Sequence, residues 1–188
     1  MILKKIFWVI RAILYKFFTK VGLPSYIGKP IYISRISGLS IGKRVRIYPG
    51  IRAEIETKNA SITIGNNTSI GQNFHVVSYI SELYIGNNVT ISGNVFITNC
   101  SHNYQEIGVH ILEQPIKTEY TKIGDFCFIG YGAVIKAGTV LGKQCIVGSN
   151  SVLKGTFPDY SVIAGNPAKI IKRYNILTGL WEKESDLA

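Results

Sequence analysis

Residues 123–158 read IGDFCFIGYGAVIKAGTVLGKQCIVGSNSVLKGTFP and repeat with a period of six. An aliphatic residue opens each group of six, from Ile123 to Leu153, and a glycine often follows it. The same period occurs upstream in groups of three. The fifteen hexads begin at Ile41, Ile47, Ala53, Ile64, Ile70, Val76, Ile85, Ile91, Ile97, Ile123, Ile129, Ile135, Leu141, Val147 and Leu153. Fourteen of these fifteen residues are Ile, Leu or Val, which indicates an internal repeat.

A period of six restricts the fold. It is too short for a helical solenoid, and the strict alternation of a sandwich or meander is absent. Three hexads would form a triangular coil of 18 residues, whose short parallel strands stack and bury the aliphatic side chains. The coils cover residues 41–58, 64–81, 85–102, 123–140 and 141–158, and every extra residue falls between whole coils. The pattern therefore predicts an all-β fold, a parallel β-helix of about five coils.

The longest insertion between coils is the loop 103–122, which begins directly after His102. A long loop without secondary structure in a compact fold usually has a function. Cys127 and Cys145 lie 18 residues apart, so they occupy the same inward position in successive coils and are predicted to be reduced core residues. With Cys100 the chain holds three cysteines, none in a closely paired motif, which favours a reducing compartment.

The first 20 residues, MILKKIFWVIRAILYKFFTK, predict a basic amphipathic helix. Lysine and arginine interrupt it too often for a membrane span, and it has no cleavage site typical of a signal peptide. Two interpretations remain open. The helix lies on the inner leaflet of a membrane with its lysines toward acidic lipid, or its apolar face packs on the chain's own body or on a second subunit.

The charge is confined to one end of the chain. The chain has 188 residues, 46% hydrophobic and 17% charged, which excludes a disordered protein, and a formal net charge of +10. Residues 1–58 hold 12 of the 21 Lys and Arg and two of the 11 acidic residues, so the remainder is neutral. A basic end suggests an anionic partner such as phospholipid or an acidic glycan. Nucleic acid is not expected, because this segment lacks interleaved stacking aromatics.

Residues 41–173 resemble the hexapeptide-repeat acyltransferases, a family with a left-handed parallel β-helix that includes galactoside and maltose acetyltransferases and capsule or lipopolysaccharide O-acetyltransferases. The hexads carry the resemblance, together with the loop after SHNY and the closing SVIAGNPAKIIKRY. We therefore divide the chain into a helix and connector (1–40), a β-helix acyltransferase domain (41–172) and a C-terminal tail or helix (173–188). The resemblance implies a cytoplasmic enzyme, which residues 1–20 could hold peripherally at the membrane.

The resemblance also implies a reaction and a site. It implies transfer of an acetyl group from acetyl-CoA to a sugar hydroxyl, between neighbouring subunits of a homotrimer. His102 matches the family's catalytic histidine, and imidazole suits the removal of a hydroxyl proton near neutral pH. The cofactor-binding positions implied by the family are Tyr131, Gly132, Ser149, Lys154, Lys169 and Lys172, with a backbone N–H near Tyr131 and Gly132 stabilising the oxyanion. The partner that orients His102 is not identified by the match.

Four further residues are candidates for the acceptor pocket: Asn73, His75, Asn103 and Gln114. The expected acceptor is a surface polysaccharide or its precursor. A small soluble acceptor such as a free sugar or an antibiotic is an alternative, and so is a non-enzymatic scaffold. A zinc-dependent carbonic anhydrase on the same fold would need three histidines around the metal. His75, His102 and His110 lack the expected spacing, so no metal site is predicted.

Overall fold

The computed structural model describes residues 2–183 of the chain. One α-helix, α1 (Ile2–Tyr15), precedes a solenoid of short strands. None of the helices in residues 2–183 is long and apolar enough to cross a membrane. The solenoid has three flat faces, here called face A, face B and face C in the order in which the chain visits them after residue 39. A single 3-10 turn, Ile36–Gly38, leads into face A.

Parallel pairing builds each of the three faces. Face A consists of β3 (Leu39–Ile41), β6 (Ser61–Ile64), β9 (Glu82–Ile85), β14 (Lys122–Ile123), β17 (Val140–Leu141) and β20 (Thr156–Phe157). Face B consists of β1 (Tyr26–Ile27), β4 (Arg46–Ile47), β7 (Ser69–Ile70), β10 (Thr90–Ile91), β15 (Phe128–Ile129), β18 (Ile146–Val147) and β21 (Ser161–Gly165). Face C consists of β2 (Tyr32–Ile33), β5 (Arg52–Ile55), β8 (His75–Ser78), β11 (Phe96–Thr98), β16 (Val134–Ile135) and β19 (Val152–Leu153).

The register confirms the 18-residue coil predicted from the hexads. Ile123 lies beside Leu141, Ile129 beside Val147 and Ile135 beside Leu153. All six side chains are buried and point into a continuous core. Removing each of them from water contributes roughly 2 kcal/mol. The hexad starts are therefore the core of the β-helix.

Asparagine turns the corners between faces. Five Asn residues adopt the left-handed backbone conformation with φ near +55°: Asn67, Asn73, Asn88, Asn94 and Asn150. Among residues other than glycine, asparagine tolerates this conformation best. Asn73, a predicted acceptor residue, thus has a structural reason for its identity: it forms a corner, and its N–H donates to the Pro49 carbonyl at 3.1 Å.

The β-helix begins earlier than the predicted boundary at residue 41, and it has about six coils. β1 pairs with β4, β2 pairs with β5, and Val21 bridges to Ile41. The inward residues of this first coil are Val21, Ile27 and the partly buried Ile33, which also recur every six positions. The prediction missed them because the 3-10 turn shifts the phase of the repeat by two residues before Ile41.

At the other end, a β-hairpin replaces the expected tail or helix. β22 (Ala168–Asn175) turns back antiparallel along β21, and β23 (Leu180–Lys183) pairs with β22. Tyr174 packs against Trp181 and Tyr160 with ring centroids 5.6 and 6.1 Å apart. Alternation of exposed and half-buried residues along β22 suits a strand that covers the last coil. The last part of the predicted tail, 184–188, lies outside the described residues.

Both predicted core cysteines are buried and unpaired, as expected from their spacing. The thiol of Cys127 donates to the Gly142 carbonyl, and that of Cys145 to the Pro158 carbonyl, each at 3.2 Å. The neighbouring thiol and burial raise the pKa of Cys127. Both residues therefore fill the core without a disulfide.

Candidate functional site

His102 lies at the end of a short hairpin that projects from the corner between faces C and A. The hairpin is formed by β12 (Cys100–His102) and β13 (Ile116–Thr118), with His102 opposite Ile116. The side chain of His102 is exposed. Among residues 5–183, none forms a hydrogen bond with its imidazole. The structure of one chain thus leaves both ring nitrogens of His102 available.

The loop beyond His102 is held together by Gln114. This side chain is only 6% exposed, and its amide nitrogen donates to the carbonyls of Glu106 and Val109 at 3.1 and 3.0 Å. Its amide oxygen accepts the N–H of Glu106 at 3.2 Å. Asn103 closes the base of the loop, because its N–H donates to Pro115. Gln114 therefore shapes the loop from inside, whereas the side chain of Asn103, next to His102, is only half-buried.

His75 belongs to a charged cluster on face C. Its Nε2 lies 2.9 Å from Glu54 Oε1, and the same carboxylate binds Arg52 Nε. The ring of His75 packs on Phe96 with centroids 4.9 Å apart. Burial raises the pKa of Glu54, but the hydrogen bonds and charges of Arg52 and His75 outweigh it, so that the pKa lies below its ordinary value. The sequence analysis missed Glu54. Its place beside the strand of His75 depends on the register between the coils 41–58 and 64–81.

Tyr131 and Ser149 lie in the corner between faces B and C, one coil apart. The carbonyl of Tyr131 accepts the N–H of Asn150 at 2.8 Å, which fixes the two turns against each other. Both side chains are exposed. A Cβ on Gly130 would stand 2.6 Å from the Ser149 nitrogen, so only glycine allows this close stacking. The two stacked turns are exposed to solvent along this corner.

Within this turn, the free backbone donor belongs to Tyr131. The N–H of Gly132 donates to the Gly93 carbonyl at 3.1 Å, so it is already used in the corner ladder. The N–H of Tyr131 has no acceptor among the described residues. Gly132 is required for a different reason: its φ is +69°, and a Cβ there would meet Asn150 Oδ1 at 2.2 Å.

The three predicted cofactor lysines lie in two places. Lys169 and Lys172 are exposed on β22, where Lys169 pairs with Ala164 and Lys172 with Val162. β22 follows Gly165, which lies in the last turn at the corner between faces B and C. Tyr131 lies at the same corner in an earlier coil. Lys154 follows β19 at the corner between faces C and A, the corner of His102. Its Nζ lies 3.3 Å from Glu119 Oε2.

The structure therefore brings Tyr131, Gly132 and Ser149 together but keeps His102 apart from them. The two groups stand at opposite edges of face C, separated by strands such as β16. His75 lies at neither corner, because it is part of β8 on face C. There it pairs in register with Phe96, and Phe96 precedes His102 by six residues. One chain therefore presents two separate groups of candidate residues at opposite edges of face C.

The three histidines do not converge. His75 is bound to Glu54, and His110 Nδ1 accepts the N–H of Leu112 at 3.3 Å within the loop. Within the described part of the chain, no group of three or more His, Cys, Asp or Glu side chains is placed to hold a metal ion.

Comparison with known proteins adds a family to this geometry. The bacterial transferase hexapeptide (six repeats) model matches residues 120–155. A protein of Escherichia coli K12 named as a lipopolysaccharide biosynthesis O-acetyl transferase, WbbJ, is 30% identical over 161 residues, covering 82% of this chain and 81% of that protein. WcaF of the same strain, named as a colanic acid biosynthesis acetyltransferase, is 26% identical and covers 75% of this chain and 72% of its own length.

Solved structures agree in fold. The hexapeptide-repeat-containing acetyltransferase VCA0836 from Vibrio cholerae superposes with a TM-score of 0.63 at 25% identity, covering 71% of this chain and 73% of that one. AntD, an N-acyltransferase from Bacillus cereus, reaches a TM-score of 0.73 at 18% identity, with coverage of 89% and 90%.

The stacked coils of hexads define the class of hexapeptide-repeat acetyltransferases. This chain belongs to that family, since WbbJ matches it at 30% identity over most of both lengths. It is an acetyltransferase with the predicted left-handed β-helix.

Proposed function

We propose that this enzyme transfers the acetyl group of acetyl-CoA to a hydroxyl of a sugar, in a surface polysaccharide or its precursor, in the cytoplasm. The observation that carries the proposal is the placement of the His102 hairpin and the corner of Tyr131 and Ser149 at opposite edges of face C, which in this proposal are two half-sites. The names of WbbJ and WcaF support the acceptor class. The Vibrio cholerae protein complexed with acetyl-CoA supports the donor.

His102 acts as the general base in this proposal. Its free imidazole takes the proton of the acceptor hydroxyl as the oxygen attacks the thioester carbon. The tetrahedral intermediate carries a negative oxygen, and the N–H of Tyr131 is the donor placed to stabilise it. The carbon–sulfur bond then breaks, and the proton on His102 returns to the leaving thiolate. The products are the acetyl ester and CoA with a free thiol, so no covalent enzyme intermediate is needed.

The two half-sites meet between subunits. A second copy of the chain that sets its corner of Tyr131 and Ser149 beside the His102 hairpin would complete the site, and three such contacts close into a trimer. In this arrangement the pantetheine arm follows the open backbone at Ser149, and the phosphates meet Lys169 and Lys172. Lys154 reaches the cofactor from the subunit that supplies His102.

The acceptor lies beside the hairpin on face C. Asn103 offers a polar side chain next to His102, and the Arg52, Glu54 and His75 cluster offers charged hydrogen-bonding groups further along the face. Gln114 and Asn73 contribute by holding the loop and the corner in shape. Hydrogen bonds from fixed polar groups discriminate strongly between acceptors that carry or lack a given hydroxyl.

Thiol release from acetyl-CoA in the presence of sugars and capsular oligosaccharides tests the proposal. For His102→Ala we expect acceptor-dependent release to fall roughly 100- to 10,000-fold, the usual contribution of a general base. His110→Ala is the matched control, because His110 lies in the same loop and away from the hairpin end, and it should retain activity. Saturation by a monosaccharide below millimolar levels would favour a small soluble acceptor. No release with any acceptor, and no CoA binding by calorimetry, would contradict the proposal and favour a scaffold.

A further inference from the structure

The apolar face of α1 points away from the β-helix. The large hydrophobic residues that it and the following turn expose are Ile6, Phe7, Val9, Ile10, Ile13, Leu14, Phe17 and Phe18. Phe17 is 78% exposed and Phe7 is 64% exposed. At about 100° per residue most of these side chains form one stripe along the helix. A contiguous apolar patch of this kind is uncommon on a protein surface that meets only water.

A different face of the helix holds it to the body. Ala12 is fully buried, Trp8 packs against Tyr26 and Tyr48, and Arg11 Nη1 donates to the Ile27 carbonyl at 2.8 Å. Around the helix these residues lie opposite the apolar stripe. Of the interpretations left open by the sequence, packing of the apolar face on the chain's own body is excluded, because the aromatic and small residues make that contact. The helix is docked, and its most hydrophobic side remains uncovered.

Basic side chains border the stripe. Lys5, Lys16 and Lys20 are exposed. Lys5 and Lys16 lie on the flank between the stripe and the body, and Lys20 lies where the chain enters the first coil. Within the described residues none of the three forms an ion pair. Beside the helix, a groove of about 240 Å³ is lined by Val9, Arg44 and Arg46. No acidic residue precedes Glu54 in the sequence.

We propose that α1 lies in the surface of an anionic phospholipid bilayer, with its apolar stripe among the acyl chains and its lysines at the level of the headgroups. An apolar stripe with a basic flank is the combination that binds such surfaces. A second copy of this chain fits less well, because the same lysines would meet and the core of subunit interfaces is depleted in charge. The inference does not depend on the proposed acyl transfer.

This placement has a structural consequence. α1 covers the N-terminal end of the solenoid, and the first coil and the coils 41–58 and 64–81 separate it from the coil that ends at His102. A membrane-bound helix would hold the hairpin at a set distance from the bilayer, on the side where a lipid-linked acceptor would be presented. This last step, unlike the membrane binding, rests on the proposed function.

Co-sedimentation of the full chain with vesicles tests the inference. Vesicles of phosphatidylcholine with about one third phosphatidylglycerol should bind the protein, and vesicles of phosphatidylcholine alone should bind it much more weakly. The variant Ile10→Ser/Leu14→Ser/Phe17→Ser should lose binding to both. Its control is Ile176→Ser/Leu177→Ser, which changes two hydrophobic residues at the C-terminal turn that are even more exposed and should bind as the wild type does.

A charge variant separates the contribution of the lysines to vesicle binding from that of the apolar stripe. Lys5→Gln/Lys16→Gln/Lys20→Gln should weaken binding to the anionic vesicles on the order of 100-fold, since each lysine near such a surface contributes a factor of about five. Lys136→Gln, far from α1, should have no effect. Absence of wild-type binding, or equal binding by the serine variant, would overturn the inference. A lower oligomeric mass of the serine variant in light scattering, without vesicle binding by the wild type, would assign the stripe to a subunit interface instead.

Discussion

At the scale of the residue, the Glu54 carboxylate is the charged group most constrained by its neighbours on face C. It accepts hydrogen bonds from Arg52 and His75, and each of these partners comes from a position that faces outward from the coil. Such pairs hold side chains in one geometry, which is what an acceptor pocket requires. Because Glu54 connects Arg52 with His75, its protonation would release both of them together.

The lowered pKa of Glu54 predicts a pH-dependent contribution to stability. A carboxylate with a folded-state pKa below the unfolded value stabilises the fold at pH values above the unfolded value of about 4.3. This contribution is lost as the pH falls through the lower, folded-state pKa. We therefore expect Glu54→Gln to lower the melting temperature at pH 7 and to have little effect on it near pH 3. Melting curves of both proteins between pH 3 and pH 7 measure this, with Glu106→Gln on the exposed loop as the control. A difference that stays constant over the whole pH range would show that the ion pairs do not stabilise the fold.

At the scale of the element, the loop after His102 depends on one amide. Gln114 makes three hydrogen bonds inside a loop whose other side chains are mostly exposed. Losing a buried hydrogen-bonding group of this kind costs about 1–3 kcal/mol. Since few apolar contacts support the loop, that cost falls on local opening and much less on global unfolding.

The variant Gln114→Ala tests this view of the loop. We expect faster hydrogen exchange and faster proteolysis within residues 103–115, with a melting temperature close to that of the wild type. Acetyl transfer should fall, because the hairpin that carries His102 loses its support. The control is Gln105→Ala, an exposed neighbour in the same loop. Unchanged exchange in the Gln114 variant would mean that the backbone holds the loop without this amide.

The elements differ in how far the sequence predicts them. Strands such as β15 and β18 follow directly from the hexads, because each aliphatic start must point inward for the coils to stack. The first coil is periodic too, but the turn at 36–38 shifts its phase and conceals it. The hydrogen bonds that Gln114 makes within the loop could not be predicted from a repeat, because they depend on the irregular path of the loop. The Glu54–His75 pair depends on the number of residues inserted between the two coils. That number determines which outward-facing side chains of adjacent coils lie next to each other.

At the scale of the whole molecule, the three faces explain why the site residues from the sequence fall into two groups. Positions 18 residues apart meet in one corner, as Tyr131 and Ser149 do. His102 leaves the solenoid at the next corner, so no coil can bring it back to them. The sequence analysis placed these residues in one site through family resemblance, and the geometry of one chain agrees only if two chains share that site.

A shared site predicts complementation between two inactive variants. His102→Ala removes the base, and Ser149→Trp places a large side chain in the open corner proposed for the cofactor. Each homotrimer should be inactive, but a mixed trimer contains sites that combine an intact His102 from one subunit with an intact Ser149 from its neighbour. In a closed ring each mixed trimer has one intact site of its three, so about one third of the sites in the purified mixed trimers are intact. Co-expression with two different tags, followed by tandem purification and the thiol-release assay, measures this recovery.

Recovered activity and background activity in the mixed trimers have different meanings for the location of the site. If the base and the cofactor corner of one chain served the same site, every site in a mixed trimer would carry one defect and activity would stay at the background. Mixing the variants after purification, when subunits no longer exchange, should also give background, and this is the control for contaminating activity. Circular dichroism checks that the Ser149 variant retains its β-helix, as expected for an exposed residue. Activity in the mixed trimers would thus locate the reaction between the His102 hairpin of one subunit and the Ser149 corner of the next.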